Sequence, residues 1–116
     1  MSQRDFKSIS AAVGTSPTVI VPPGGAVVPG NISIVIRKAV FASDVSSGTV
    51  ATTAKLLSMT GGTIIGTLDA VTVVPGAPTV RDEDQFVARA PPGAQVGAVS
   101  EVGTIMVSLS YTYEYH

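Results

Sequence analysis

The closing stretch of the chain constrains its fold more than any other. Ile105, Val107, Leu109, Tyr111, Tyr113 and Tyr115 fall on one parity, and Thr104, Ser108, Ser110, Thr112 and Glu114 on the other, with Met106 the only apolar exception. Side chains of a strand alternate across its sheet, so this pattern describes a strand with one buried face. A slip of one residue in its pairing would turn the whole apolar row to solvent.

The residues before it read as further strands separated by turn chemistry. Ile32, Ile34 and Ile36 alternate with Ser33, Val35 and Arg37, and Lys38 breaks the parity before Val40 and Phe41, which points to a bulge. Ser46-Ser47-Gly48 turns the chain, and Val50, Thr52, Ala54 and Leu56 begin the next strand. Gly61-Gly62, between Met59-Thr60 and Thr63-Ile64, has the form of a two-residue hairpin turn. Ile64 to Val74 is one long strand or two bent at Asp69, with apolar residues on both parities. Pro75-Gly76-Ala77-Pro78 ends it, a short strand Gln85–Arg89 follows, and Pro91-Pro92-Gly93 turns into a strand from Gln95 to Ser100. Short strands with turns at roughly ten-residue spacing are the sequence form of a sandwich or barrel. The expected fold is all-β, a single β-sandwich of jelly-roll or similar Greek-key topology over residues 31–116.

Residues 1–30 read differently. Ser16-Pro17, Pro22-Pro23-Gly24-Gly25 and Pro29-Gly30 punctuate short apolar pieces, and proline removes ladder donors. The expectation is an extended arm. Val13, Val19, Ile20, Val21, Val27 and Val28 make it more apolar than disordered segments are, so the arm is expected to dock on a neighbouring subunit by strand addition or along a groove. The residues expected to bind partners are Val19, Ile20, Val21, Val27 and Val28 of the arm and Tyr111, Tyr113 and Tyr115 of the last strand. On this reading, removing residues 1–30 leaves the sandwich folded and abolishes assembly.

Composition narrows the function. Charged residues are 13% of the chain, about half the roughly 25% of an average soluble domain, which describes a surface that is sticky or covered. The formal net charge of −1 lacks the basic footprint of a nucleic-acid binder. The apolar stretches are interrupted well before the ~18 residues of a membrane span, and the N-terminus lacks an apolar signal-peptide core, so neither a membrane nor a secretory route is expected. There is no cysteine for a disulfide or a thiolate zinc site, and the one histidine is the last residue, His116, a poor place for a buried base. Asp82 and Asp84 could offer two oxygens to calcium, which takes six or more ligands; a solvated turn is the plainer reading. No catalytic residue, cofactor or metal is expected, and no enzyme activity. The three tyrosines could form a stacking platform for sugar rings, or else continue the core stripe to the sheet margin.

The run Pro92 to Ser100, followed by Gly103-Thr104-Ile105-Met106-Val107-Ser108-Leu109-Ser110-Tyr111-Thr112-Tyr113-Glu114, resembles the C-terminal end of small β-sandwich virion proteins of tailed bacteriophages. The shared features are a Gly-x-x-Val-x-Ala turn and strand, a Gly-Thr-x-x-Val turn and a Val-x-Leu-x-Tyr closing strand. Leu56-Leu57, Gly61-Gly62, Ile64-Ile65-Gly66-Thr67-Leu68 and Pro75-Gly76 are similar in order, while Ala94 stands where that family commonly has Asp. The resemblance implies a structural role at the virion: a capsid cement or decoration protein, often a trimeric homo-oligomer, or a tail or connector subunit. It also implies the major capsid protein or other virion subunits as partners, and a place on the capsid surface after synthesis in the host cytoplasm. From a different class, a carbohydrate-binding module built on the tyrosines is the alternative.

Overall fold

Gly61 and Gly62 have φ of 57° and 84°, the paired positive values that let a two-residue turn match the twist of its flanking strands. They join β-strands Thr52–Thr60 and Thr63–Val73, and the computed structural model, which describes residues 7–43, 51–82 and 88–116, builds outward from this hairpin. In chain order the elements are β1 (Lys7–Val13), β2 (Thr18–Val21), a 3-10 turn (Pro23–Gly25), β3 (Ile32–Ser43), β4 (Thr52–Thr60), β5 (Thr63–Val73), β6 (Thr79–Asp82), β7 (Ala88–Arg89), β8 (Gln95–Ser100) and β9 (Ile105–Tyr115).

The pairing is nested. Around the β4–β5 hairpin, β3 pairs with β6 and then β7, β2 with β8 and β1 with β9, every pair antiparallel. Lateral pairing of β3 with β9 and of β4 with β8 folds this long ribbon into two sheets, ordered β1-β9-β3-β6 with β7 also beside β3, and β2-β8-β4-β5. Two packed four-position sheets wound in this order are a jelly roll. The all-β sandwich expected from the sequence is the fold.

Between the sheets lies one apolar core. Phe41, Ile34 and Ile36 of β3 meet Leu56 and Ala54 of β4, Val71 and Val73 of β5, Val96 and Ala98 of β8, and Ile105, Val107, Leu109 and Tyr111 of β9. The bulge anticipated at Lys38 is present as a register shift between Ile36 and Lys38 against β9. It lets Ile36 and Ala39 both face inward, opposite Tyr111 and Leu109. Ile64 to Val73 belongs to one continuous strand, which absorbs two extra residues against β4, next to Asp69 and next to Ile64. The expected turn at Ser46-Ser47-Gly48 lies outside the described residues, as do Gln85 to Val87 of the expected short strand Gln85–Arg89, of which Ala88 and Arg89 form β7.

The N-terminal region departs from expectation. Residues 7–30 are not an arm reaching away from the sandwich: β1 continues one sheet beside β9, and β2 continues the other beside β8. Val13, Ile20, Val21 and Val28 are buried in the same core as β9. Pro17 and Pro22 sit immediately outside the ends of the short edge strand β2, where a missing N–H breaks no ladder. A boundary between residues 30 and 31 therefore corresponds to no boundary in the packing.

One further position shows how closely the N-terminal strands are fitted. A Cβ on Gly97 of β8 would meet the Met59 sulfur and stand 2.6 Å from the Thr18 carbonyl oxygen of β2. The sulfur can swing aside, whereas the backbone oxygen is held by its strand.

Two outcomes follow. Deleting residues 1–30 removes the four buried side chains described there, Val13, Ile20, Val21 and Val28, each contributing about 1.5–3 kcal/mol, against a total of ~5–15 kcal/mol for a domain; circular dichroism on the truncated chain should show no cooperative melt. Gly97→Ala should cost about 1–3 kcal/mol by overpacking, read as a lower urea midpoint with an unchanged slope.

Candidate interaction surfaces

The residues singled out for binding divide sharply. Ile20 and Val21 are buried, Val28 is 5% exposed and Tyr111 3%, so all four are core. Val19 and Tyr113 are half-buried. Only Val27, 87% exposed, and Tyr115, 71% exposed, are free to meet a partner among these eight. The cause lies in the parity of β9: its inward face carries Tyr111 into the core and Tyr113 to the core's margin, and Tyr115 projects past it. Tyr111 and Tyr113 meet edge to face, centroids 5.7 Å apart at 78°, an arrangement of packed rings. A flat platform of three tyrosines for sugar stacking is not what the strand presents.

Four polar groupings fix the ends and margins of the sandwich. The buried Thr52 and Ser100 hydroxyls are 3.1 Å apart, Ser100 Oγ donates to the Val102 carbonyl and the Val102 N–H donates to Thr52 Oγ1, which clamps the β8–β9 loop onto β4. Gln95 Nε2 donates to the carbonyls of Gly25 and Ala26, both at 2.9 Å, tying the segment after β2 to β8. Its Oε1 is buried with no partner among the described residues. At the margin where β5 and β6 meet, Arg81 reaches Asp69 at 3.1 Å and Thr79 Oγ1 donates to the Thr72 carbonyl, so each sheet holds the other. Near the chain end, Arg89 pairs with Glu114 at 2.9 Å and Ser33 lies 2.8 Å from His116 Nε2.

Asp82, considered as a calcium ligand, stands 3.9 Å from Lys38, and Asp84 lies outside the described residues. Among the described residues, no three of His, Cys, Asp or Glu gather to hold a metal.

The surfaces that sequence reasoning did not single out are apolar. On the outer face of the β1-β9-β3-β6 sheet, register places Ala12, Met106 and Ala42 in one row and Ser10, Ser108, Val40 and Val80 in the next. Met106 and Val80 are each about half exposed, and among the described residues no charge enters the patch before the Lys38 and Asp82 row. Ile64 and Ile65, beside the hairpin apex, are also exposed. Met106 carried a signal, as the one apolar residue on the polar parity of β9. The Ile64-Ile65 pair carried one too, because adjacent side chains of a regular strand point to opposite faces.

No protein-family model and no curated protein matches this sequence. Among solved structures, the chain is similar to a protein of the Bacillus endospore appendages, described as disulfide-linked pili. The identity is 15% and the TM-score 0.45, over 95% of this chain and 87% of that one. It is also similar to the Dit protein of SPP1, described as a hub of the adsorption apparatus in phages infecting Gram-positive bacteria. There the identity is 9% and the TM-score 0.42, over 93% of this chain and 47% of that one, so the chain spans less than half the length of the SPP1 protein.

Burial pushes the Tyr111 hydroxyl above its ordinary value of 10.0, and the neighbouring Tyr113 adds to the shift. The folded state then holds this proton more tightly than the unfolded chain does. The contribution is fully present below about pH 10 and is lost as pH rises through the raised folded value. Urea unfolding from neutral to strongly alkaline pH should show stability declining above the ordinary tyrosine value, with a shallower decline in Tyr111→Phe.

Proposed function

We propose that this chain is a non-enzymatic structural subunit of a phage-type virion, acting as a cement or decoration protein on the shell. The observation that carries the reading is the distribution of its side chains. Thr52, Ser100, Gln95, Asp69 and Arg81 clamp loops and margins, while Val27, Ile64, Ile65, Val80, Met106 and Tyr115 are left facing outward. Exposed apolar residues on a chain with so little charge fit a surface that is covered in an assembly. The resemblance of roughly residues 31–116 to small virion sandwich proteins of tailed phages supports the same reading. The jelly roll itself is compatible with it and with much else, since one fold hosts many functions.

The major capsid protein is the proposed partner, and the outer face of the β1-β9-β3-β6 sheet together with Val27 and Tyr115 supplies the proposed contact. A tail or connector subunit would use the same surfaces against a different virion component. The sugar-binding alternative loses its platform, because Tyr111 is inside the core.

Adding the purified protein to shells that lack it tests the assignment. Co-sedimentation with the shells and a higher rupture temperature are expected, and Val27→Asp and Tyr115→Ser should each weaken binding by roughly tenfold with no change in the melting of the free protein. Binding to purified tails but not to shells would move the protein to the tail; binding to neither would overturn the assignment.

A further inference from the structure

A sheet edge exposes unpaired N–H and C=O groups, and folded proteins protect such edges with charges, prolines, bulges or short strands. The sandwich has two edges in each sheet, and three of them carry such protection. At β2 the strand is four residues long, bracketed by Pro17 and Pro22 and offset by a register shift against β8. At β5 two register shifts bend the strand, and Asp69 is drawn toward Arg81 on the other sheet. At the third, β6 and β7 together are six residues that include Arg81, Asp82 and Arg89.

The fourth edge, β1, has the least of this protection. Its seven residues pair with β9 in unbroken register from Lys7↔Tyr111 to Val13↔Ile105. It holds no proline, and its only charge is Lys7 at its start. Its outward side chains, Ser8, Ser10 and Ala12, are small and exposed. On its inward side, Ile9 and Ala11 pack against the core but stay only partly buried, so the sandwich is not closed along this margin.

We infer that β1 pairs with β1 of a second copy of this chain, antiparallel about a two-fold axis at Ser10, and fuses two sheets into one. The contact is isologous: the same strand serves as template and as addition. With the axis at Ser10, Ser10 faces its own copy, Ser8 faces Ala12, Ile9 faces Ala11 and Lys7 faces Val13. No like charges meet, the small outward residues allow close approach, and Ile9 and Ala11 of each copy cover those of the other. The inference rests on the reading of the chain as an assembly subunit and names the self-contact through which it would assemble.

Because the sequence has no cysteine, single substitutions report the register directly. Residues directly opposite in an antiparallel pair have Cα atoms about 4.5–5.5 Å apart, within the range a disulfide spans. Under mild oxidation Ser10→Cys should give a covalent dimer. Ser8→Cys and Ala12→Cys should each stay monomeric alone and link to one another when mixed. Sedimentation of the unmodified protein should show a dimer, and Ser10→Lys, which sets two ammonium groups face to face, should weaken it by roughly tenfold or more while its thermal melt shows the subunit still folded. A protein that stays monomeric at every concentration overturns the inference. So does self-association that Ser10→Lys leaves unchanged, or cross-linking that ignores position. In those last two cases a self-contact exists elsewhere and the shell-binding assignment stands or falls on its own test.

Discussion

The row Ile105, Val107, Leu109 and Tyr111 along β9 has to face away from water, and a strand offers only two faces, so that one requirement sets the register on both sides of β9. On one side it fixes β1, placing Val13 opposite Ile105 and Ala11 opposite Val107. On the other it fixes β3, where Phe41 lies opposite Val107 and Ala39 opposite Leu109. The bulge at Arg37 and Lys38 keeps the long β3 in phase with β9 at both ends. From there the winding of the ribbon follows, because β3 hands its outer edge to β6 and β7, and the β4–β5 hairpin folds back as the second layer.

The second layer shows how the described polar side chains are used. The clamp of Thr52, Ser100 and Val102 and the Gln95 amide use polar side chains to hold loops in place. The Arg81–Asp69 pair, at a partly exposed margin, is worth at most about 1 kcal/mol and does more to set how β5 and β6 meet than to add stability. Facing outward are Met106 and Val80 on the sheet that contains β9, Ile64 and Ile65 on the edge strand of the other sheet, and Val27 and Tyr115.

Much of this architecture was legible in the residues. Strict alternation from Ile105 to Tyr115, the paired glycines at 61 and 62 and the parity break at Lys38 each gave an element its correct form, since each is a local property of the backbone. The membership of residues 7–30 was not legible. Their prolines and glycines suggested a chain leaving the fold, yet in a jelly roll the first strands pair with the last, and contacts of that sequence separation leave no local trace. The same blindness affected the candidate binding residues. Ile20, Val21 and Val28 looked like a sticky arm because they are apolar, and they are apolar because they are core. Tyr111 to Tyr115 share a face, as read, but where the core ends along that face depends on the opposing sheet.

The central claim is that the N-terminal strand completes its own chain's sandwich, and the Ser10 and Ser108 hydroxyls, 2.7 Å apart across β1 and β9, give direct access to it. The double variant Ser10→Cys, Ser108→Cys, oxidised at low concentration, should close a disulfide within one chain. It would run as a monomer on a non-reducing gel and melt at a higher temperature than its reduced form. Failure to form the bond, or a bond that links position 10 of one chain only to position 108 of another, would contradict the account and return residues 7–13 to the role of an arm held by a neighbour.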